Sequence, residues 1–98
     1  MAMPVTPAAG NRKPRSGQLT NVDTTGQALS TAGIGCVKVS VQNDHDNTVD
    51  ILVGGSLATA YFRLVPGESL PFYIGQVDYL FVKAASGTAL KVSWIAEV

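Results

Sequence analysis

Asp44-His45-Asp46 is the one cluster of metal-ligating side-chain types in this 98-residue sequence. Two carboxylates and an imidazole can together hold a divalent cation. The same residues lie inside the polar run Asn43-Asp44-His45-Asp46-Asn47, which reads as a turn whose side chains bond their own backbone. No second ligand cluster converges on it, so the sequence assigns neither a metal nor another cofactor. Gly54-Gly55-Ser56-Leu57-Ala58 falls short of a nucleophile elbow, because Ala58 stands where a glycine is required and His45 would be the sole base. It reads as a Gly-Gly turn, and it lacks the Lys-Ser/Thr pair of a phosphate loop. Asp50, Glu68, Asp78 and Glu97 are of the type that hydrolyses glycosides in pairs, but they are scattered and read as surface charges. Cys36 shares a strand face with Lys38, an arrangement that can activate a thiol. Its apolar neighbours make it a small buried hydrophobe instead. The sequence thus names no catalytic residue, and the chain reads as a non-enzyme.

Binding chemistry has two candidate carriers. Tyr61, Phe62, Phe72, Tyr73, Tyr79, Phe81 and Trp94 offer a platform on which a sugar could stack, although strand alternation sends about half of them into the core. The second carrier is Asn11-Arg12-Lys13-Pro14-Arg15-Ser16-Gly17, turn-rich and basic. Arg12, Lys13 and Arg15 neutralise too few phosphates for firm nucleic-acid binding, and they are expected to meet acidic groups of a protein partner.

The elements that position these groups are strands. Val37, Val39 and Val41 alternate with Lys38, Ser40 and Gln42, the period of a half-wet strand. Thr48 to Val53 reads as its antiparallel hairpin partner. Tyr61 to Val65 stops at Pro66-Gly67, the residue pair of a type II turn. Ser69 to Ile74 contains Pro71 and is expected at an edge or a bulge. Asp78 to Ala84 and Ala89 to Ile95, joined by Ser86-Gly87-Thr88, read as a second hairpin, and Gln18 to Leu29 offers a further strand. The expected core is Val37, Val39, Val41, Ile51, Val53, Leu80, Val82, Leu90, Val92 and Trp94. Residues 1–18 hold three prolines and few apolar groups, so they read as an extended N-terminal arm, and 19–98 as the folded domain. The arm carries +3 and the domain −3, summing to a neutral chain.

Six or seven short strands without a helical period give an all-β fold, a small antiparallel β-sandwich or a barrel-like variant. Only 14% of residues are charged while 46% are hydrophobic, which argues against disorder and suggests a surface partly covered by other protein. No apolar run reaches the roughly 18 residues a membrane span needs, and no apolar h-region accompanies the basic residues. The single cysteine excludes an internal disulfide. A thin core of this size is commonly supplemented by oligomerisation.

The ordered set Gly26-Gln27-Ala28-Leu29-Ser30, Cys36 to Gln42, Asn47-Thr48, Ile51-Leu52-Val53-Gly54-Gly55-Ser56, Leu64-Val65-Pro66-Gly67-Glu68-Ser69-Leu70 and Tyr79-Leu80-Phe81-Val82 resembles a small β-sandwich module of structural proteins in tailed bacteriophages. The resemblance spans residues 19–98 and leaves the arm unmatched. It implies a virion component made in the host cytoplasm, and a chain this short most resembles a capsid decoration, or cement, protein. It would stabilise the head by binding between major capsid subunits, as a cyclic homo-oligomer with a trimer favoured. The alternatives are a neck, tail or fibre component, or a carbohydrate- or host-surface-binding module.

Overall fold

The computed structural model describes residues 14–55 and 62–98. They form eight strands, β1 (Arg15–Val22), β2 (Gln27–Ala28), β3 (Lys38–Asn43), β4 (Ile51–Gly54), β5 (Phe62–Leu64), β6 (Ser69–Phe72), β7 (Phe81–Ala84) and β8 (Ala89–Glu97). A single 3-10 turn, Val77–Tyr79, precedes β7. The strands make two antiparallel four-stranded sheets, one in the order β1-β8-β3-β6 and the other β2-β7-β4-β5. The expected all-β sandwich is therefore present.

The nesting is systematic. β1 pairs with β8, β2 with β7, β3 with β6 and β4 with β5. This is the pairing of a jelly roll, a long double ladder rolled so that consecutive strands fall mostly in opposite sheets. Two local readings of the sequence are corrected by it. Cys36–Gln42 and Thr48–Val53 are not a hairpin, since β3 and β4 lie in different sheets, and the same holds for β7 and β8. Only β4 and β5 are both consecutive and paired. Ser86-Gly87-Thr88 carries the chain between layers, not around a hairpin. The arm boundary also moves. Residues 15–18 are paired with β8 from Arg15↔Ala96 to Gln18↔Ser93, so the folded domain begins before residue 19.

The interior is lined by Val39 and Val41 of β3, Ile51 and Val53 of β4, Val82 of β7, and Val92, Trp94 and Ala96 of β8. Val22 at the end of β1, and Leu29, Val77 and Leu80 from the connections, close it. Val37 and Leu90, expected inside, are 59% and 57% exposed. Val37 precedes β3 and projects past the end of the sandwich. Leu90 is displaced by a slip in phase, because the inward series of β8 runs Ala96, Trp94, Val92 and then Ala89. The slip lies opposite Asn21, whose φ of 55° interrupts the pleat of β1. Pro71 lies on β6, an edge of its sheet, where its missing N–H costs no ladder bond. Gly67 has φ 91°, and the Glu68 N–H donates to Val65 O at 2.9 Å. Pro66-Gly67 is thus the expected turn, with glycine where φ must be positive.

Strand directions sort the connections into two ends. The β1–β2, β3–β4, β5–β6 and β7–β8 connections gather at one, the asparagine end. The β2–β3, β4–β5 and β6–β7 connections, with the start of β1 and the end of β8, gather at the other, the arm end.

Candidate interaction surface

The asparagine end holds the polar run, and its two asparagines are not turn decoration. Asn43 is fully buried and Asn47 nearly so. Asn43 Nδ2 donates to Val49 O and to Leu64 O, both at 3.0 Å, and its Oδ1 accepts from Asn47 Nδ2 at 2.6 Å. Asn47 also donates to Lys91 O at 2.6 Å and accepts from the Lys91 N–H at 3.1 Å. Its amide therefore stands in for a strand neighbour where β3 has ended and β8 continues. One network ties both sheets together, and a local reading of turn composition does not reveal it.

Between them, Asp44-His45-Asp46 caps itself. The Asp46 N–H donates to Asp44 Oδ1 at 2.9 Å. His45 stands between the flanking carboxylates, with Nε2 3.2 Å from Asp46 and Nδ1 3.7 Å from Asp44. The ligand atoms lie within 4.8 Å of one another on a largely exposed tip, and no fourth group joins them among the described residues. Residues 56–61, Ser56 and Tyr61 among them, fall outside the described residues. Gly55, just before Ser56, follows β4 at the arm end, whereas His45 is at the asparagine end.

The scattered carboxylates each hold a local structural partner. Asp50 meets Arg63 Nη1 at 2.8 Å and Glu97 meets Lys38 Nζ at 2.9 Å. Glu68 Oε1 accepts the Val65 N–H at 2.9 Å. Asp78 accepts the N–H groups of Gly33 and Ile34 at 2.8 and 3.3 Å. The hydrogen bond to Glu97, then its charge, holds the Lys38 ammonium above its usual pKa. Lys38 is thereby committed to Glu97 and not to a thiol. Burial pushes the Cys36 thiol up, and its Sγ–H donates to Ile74 O at 3.2 Å. Cys36 should accordingly react with a maleimide at pH 7 about tenfold more slowly than an exposed cysteine. A rate equal to or above that of glutathione would show an activated thiol.

The arm end is built differently. Residues 33–37 are zipped to 74–78. Cys36 N–H donates to Gly75 O at 3.0 Å, Val77 N–H to Ile34 O at 2.9 Å, and Gly35 bridges Gln76. Around this platform stand Val37, Tyr73 (81% exposed), Tyr79 and Phe62. Phe62 packs edge-on against Phe72 with ring centroids 5.8 Å apart, joining the β5 and β6 edges of the two sheets. Lys38 Nζ lies 6.0 Å from the Tyr73 ring centroid. Of the seven large hydrophobic side chains exposed among the described residues, these four are here, including every aromatic one. Val65 and Leu90 are at the asparagine end, and Ile95 is on the outer face of the first sheet. Arg15 opens β1 at the arm end, exposed and without a partner among the described residues. Arg12 and Lys13, the other expected partner-binding residues, lie outside the described residues.

Between the Lys38–Glu97 pair at one end and Lys91 at the other, that outer face is uncharged. Gln18, Ser93, Gln42 and Ser69 lie side by side across its four strands, with Gln18 Nε2 3.3 Å from Ser93 Oγ. A shallow groove of about 260 Å³ runs over it, lined by Ser40, Gln42, Ser69, Ser93 and Ile95.

Trp94 is buried, and its position depends on a residue that composition does not flag. A Cβ on Gly17 would stand 2.6 to 2.8 Å from Cζ2, Cε2 and Nε1 of the indole, so the ring lies flat on a bare glycine of β1.

No protein-family profile, curated protein or solved structure matches the chain.

Proposed function

We propose that this chain is a non-enzymatic structural component of a phage particle, a head decoration protein that binds between major capsid subunits. The observation that carries the reading is the gathering at one end of the sandwich of four exposed apolar side chains, the start of β1 and Arg15, which has no partner among the described residues. Exposed aromatic clusters of this kind serve as anchors in protein interfaces. A jelly roll is also an architecture that viral shells use, a fold-level analogy that supports the reading without naming a site. Binding works here by adding buried area between neighbouring shell subunits.

The test is co-sedimentation of the purified chain with phage head shells that lack it. Removing residues 1–13, which leaves β1 whole, should weaken binding, most at low salt, where the basic side chains it removes are least screened. Tyr73→Ser with Tyr79→Ser should raise the dissociation constant about tenfold or more. Undiminished binding by both variants would remove the arm end from the interface.

The groove on the first sheet favours one further reading, a carbohydrate- or host-surface-binding module. Its few hydroxyl and amide groups, set on a mostly apolar lining that includes Ile95, offer hydrogen bonds to a neutral saccharide. Saturation-transfer signals from neutral oligosaccharides, lost in Gln42→Ala, would support it over decoration.

A further inference from the structure

The chain is held very differently on the two sides of Asn21. Before it, residues 15–20 of β1 contribute no fully buried side chain, and only Gly17 and Leu19 are half-buried. These residues pair with β8 from Arg15↔Ala96 to Thr20↔Lys91, and no strand adjoins their other side among the described residues. After Asn21 the chain is fixed to the second sheet. Val22 is fully buried, and Asp23 O accepts the N–H of Ala84 of β7 at 2.9 Å. Asp23 Oδ1 holds the Thr25 and Gly26 N–H groups at 2.9 and 3.2 Å. Leu29, also buried, donates its N–H to Leu80 O at 2.9 Å. The anchor thus begins one residue past Asn21.

Asn21 has φ 55°, in the left-handed region that asparagine enters more readily than most side-chain-bearing residues. The register with β8 steps over it, from Thr20↔Lys91 to Val22↔Ala89. Turning this one residue to the ordinary extended range directs the preceding strand away from β8 and leaves Val22 in place. What the strand covers is Trp94. A Cβ on Gly17 would stand 2.6 to 2.8 Å from Cζ2, Cε2 and Nε1 of the indole, and under this cover Trp94 is only 7% exposed.

We propose that residues 15–20 form a strap, hinged at Asn21, that opens and closes over Trp94 while the rest of the sandwich stays folded. Closed, it hides the indole and completes the first sheet. Open, it bares the indole together with the backbone edge of β8, an aromatic anchor and a strand edge that the closed form does not offer. Local opening is easiest where a segment buries few side chains and leans on one neighbour. The device does not depend on what the arm end binds.

Hydrogen exchange on the full chain tests it, because Trp94 is the single tryptophan and its Nε1–H lies under the strap. The indole N–H and the amides of residues 15–20 that bond to β8 should be less protected than the β3 and β7 amides, by about tenfold or more. Low urea should leave their exchange unchanged, since opening the strap exposes little surface. Asn21→Val sets a β-branched residue at positive φ and should speed indole exchange about tenfold. Asn21→Gly, for which this φ is free, should keep it within about threefold. Gln18 and Ser93 face each other across the two strands, so Gln18→Cys with Ser93→Cys, in a Cys36→Ala background, places a disulfide lock there. Oxidation should raise indole protection to that of the β3 amides, and reduction should restore the original exchange. An unlocked indole that shares the protection and urea dependence of the β3 amides would overturn the proposal. So would indole exchange that neither Asn21→Val nor the lock alters.

Discussion

Replacing Asn43 by leucine should destabilise the domain by about 3–5 kcal/mol, because it strands several buried polar groups at once, each worth about 1–3 kcal/mol. Asn43 Nδ2 serves the carbonyls of Val49 and Leu64, and its Oδ1 holds the Asn47 amide. Leucine branches at the same carbon and is more hydrophobic, though larger, so a site that wanted only apolar filling would tolerate it far better. The network forbids that outcome. Those carbonyls lie beside the ends of β4 and β5, and Asn47 in turn holds Lys91 of β8. Loss of Asn43 should therefore loosen both sheets at one end. Asn43→Asp, which keeps the shape, should be no milder, since an acceptor would then face two carbonyls. Urea unfolding at a fixed chain concentration measures both. A change below about 1 kcal/mol for Asn43→Leu would mean that water replaces the amide.

The second large effect lies at Trp94. Trp94→Ala should cost about 3–5 kcal/mol, a large part of the stability of a domain this size. Gly17→Ala should cost about 1–3 kcal/mol by overpacking, because the added carbon would sit within 2.8 Å of three indole atoms. The two changes should not add. Once the indole is gone, the methyl group has room, and the double variant should be less destabilised than the sum. Strict additivity would contradict the contact. By contrast, Val37→Ser and Leu90→Ser should each change stability by no more than about 0.5 kcal/mol, the range of an exposed site.

These residues mark where the sequence was legible. Val39 with Val41, Ile51 with Val53, and Val92 with Trp94 are inward as alternation requires, because a strand's two faces are written locally. Pro66-Gly67 and the edge position of Pro71 were legible for the same reason, each being a backbone constraint of one residue or two. Strand pairing was not. Two hairpins were expected where the chain crosses between sheets, since turn residues such as Ser86-Gly87-Thr88 serve a hairpin and a crossover equally well. Asn43 looked like turn material because its partners, Val49 and Leu64, are set by the rolled topology. Gly17 looked like part of a loose arm because its partner, Trp94, is in the last strand. At the interaction surface, sequence singled out Arg15 and the aromatic residues but could not bring Phe62, Tyr73 and Tyr79 to one end. That grouping arises from strand direction, which depends on the long-range nesting of β1 with β8 and β3 with β6.

We propose the arm end of this sandwich as the surface that docks onto a phage shell. An image reconstruction of head shells incubated with the chain tests it most directly. The account predicts ordered density for the sandwich on the shell, with Val37, Phe62, Tyr73 and Tyr79 buried against capsid subunits and the asparagine end facing solvent. Shells without added density, or with the chain seated by its asparagine end or its outer sheet face while those four side chains stay exposed, would contradict it.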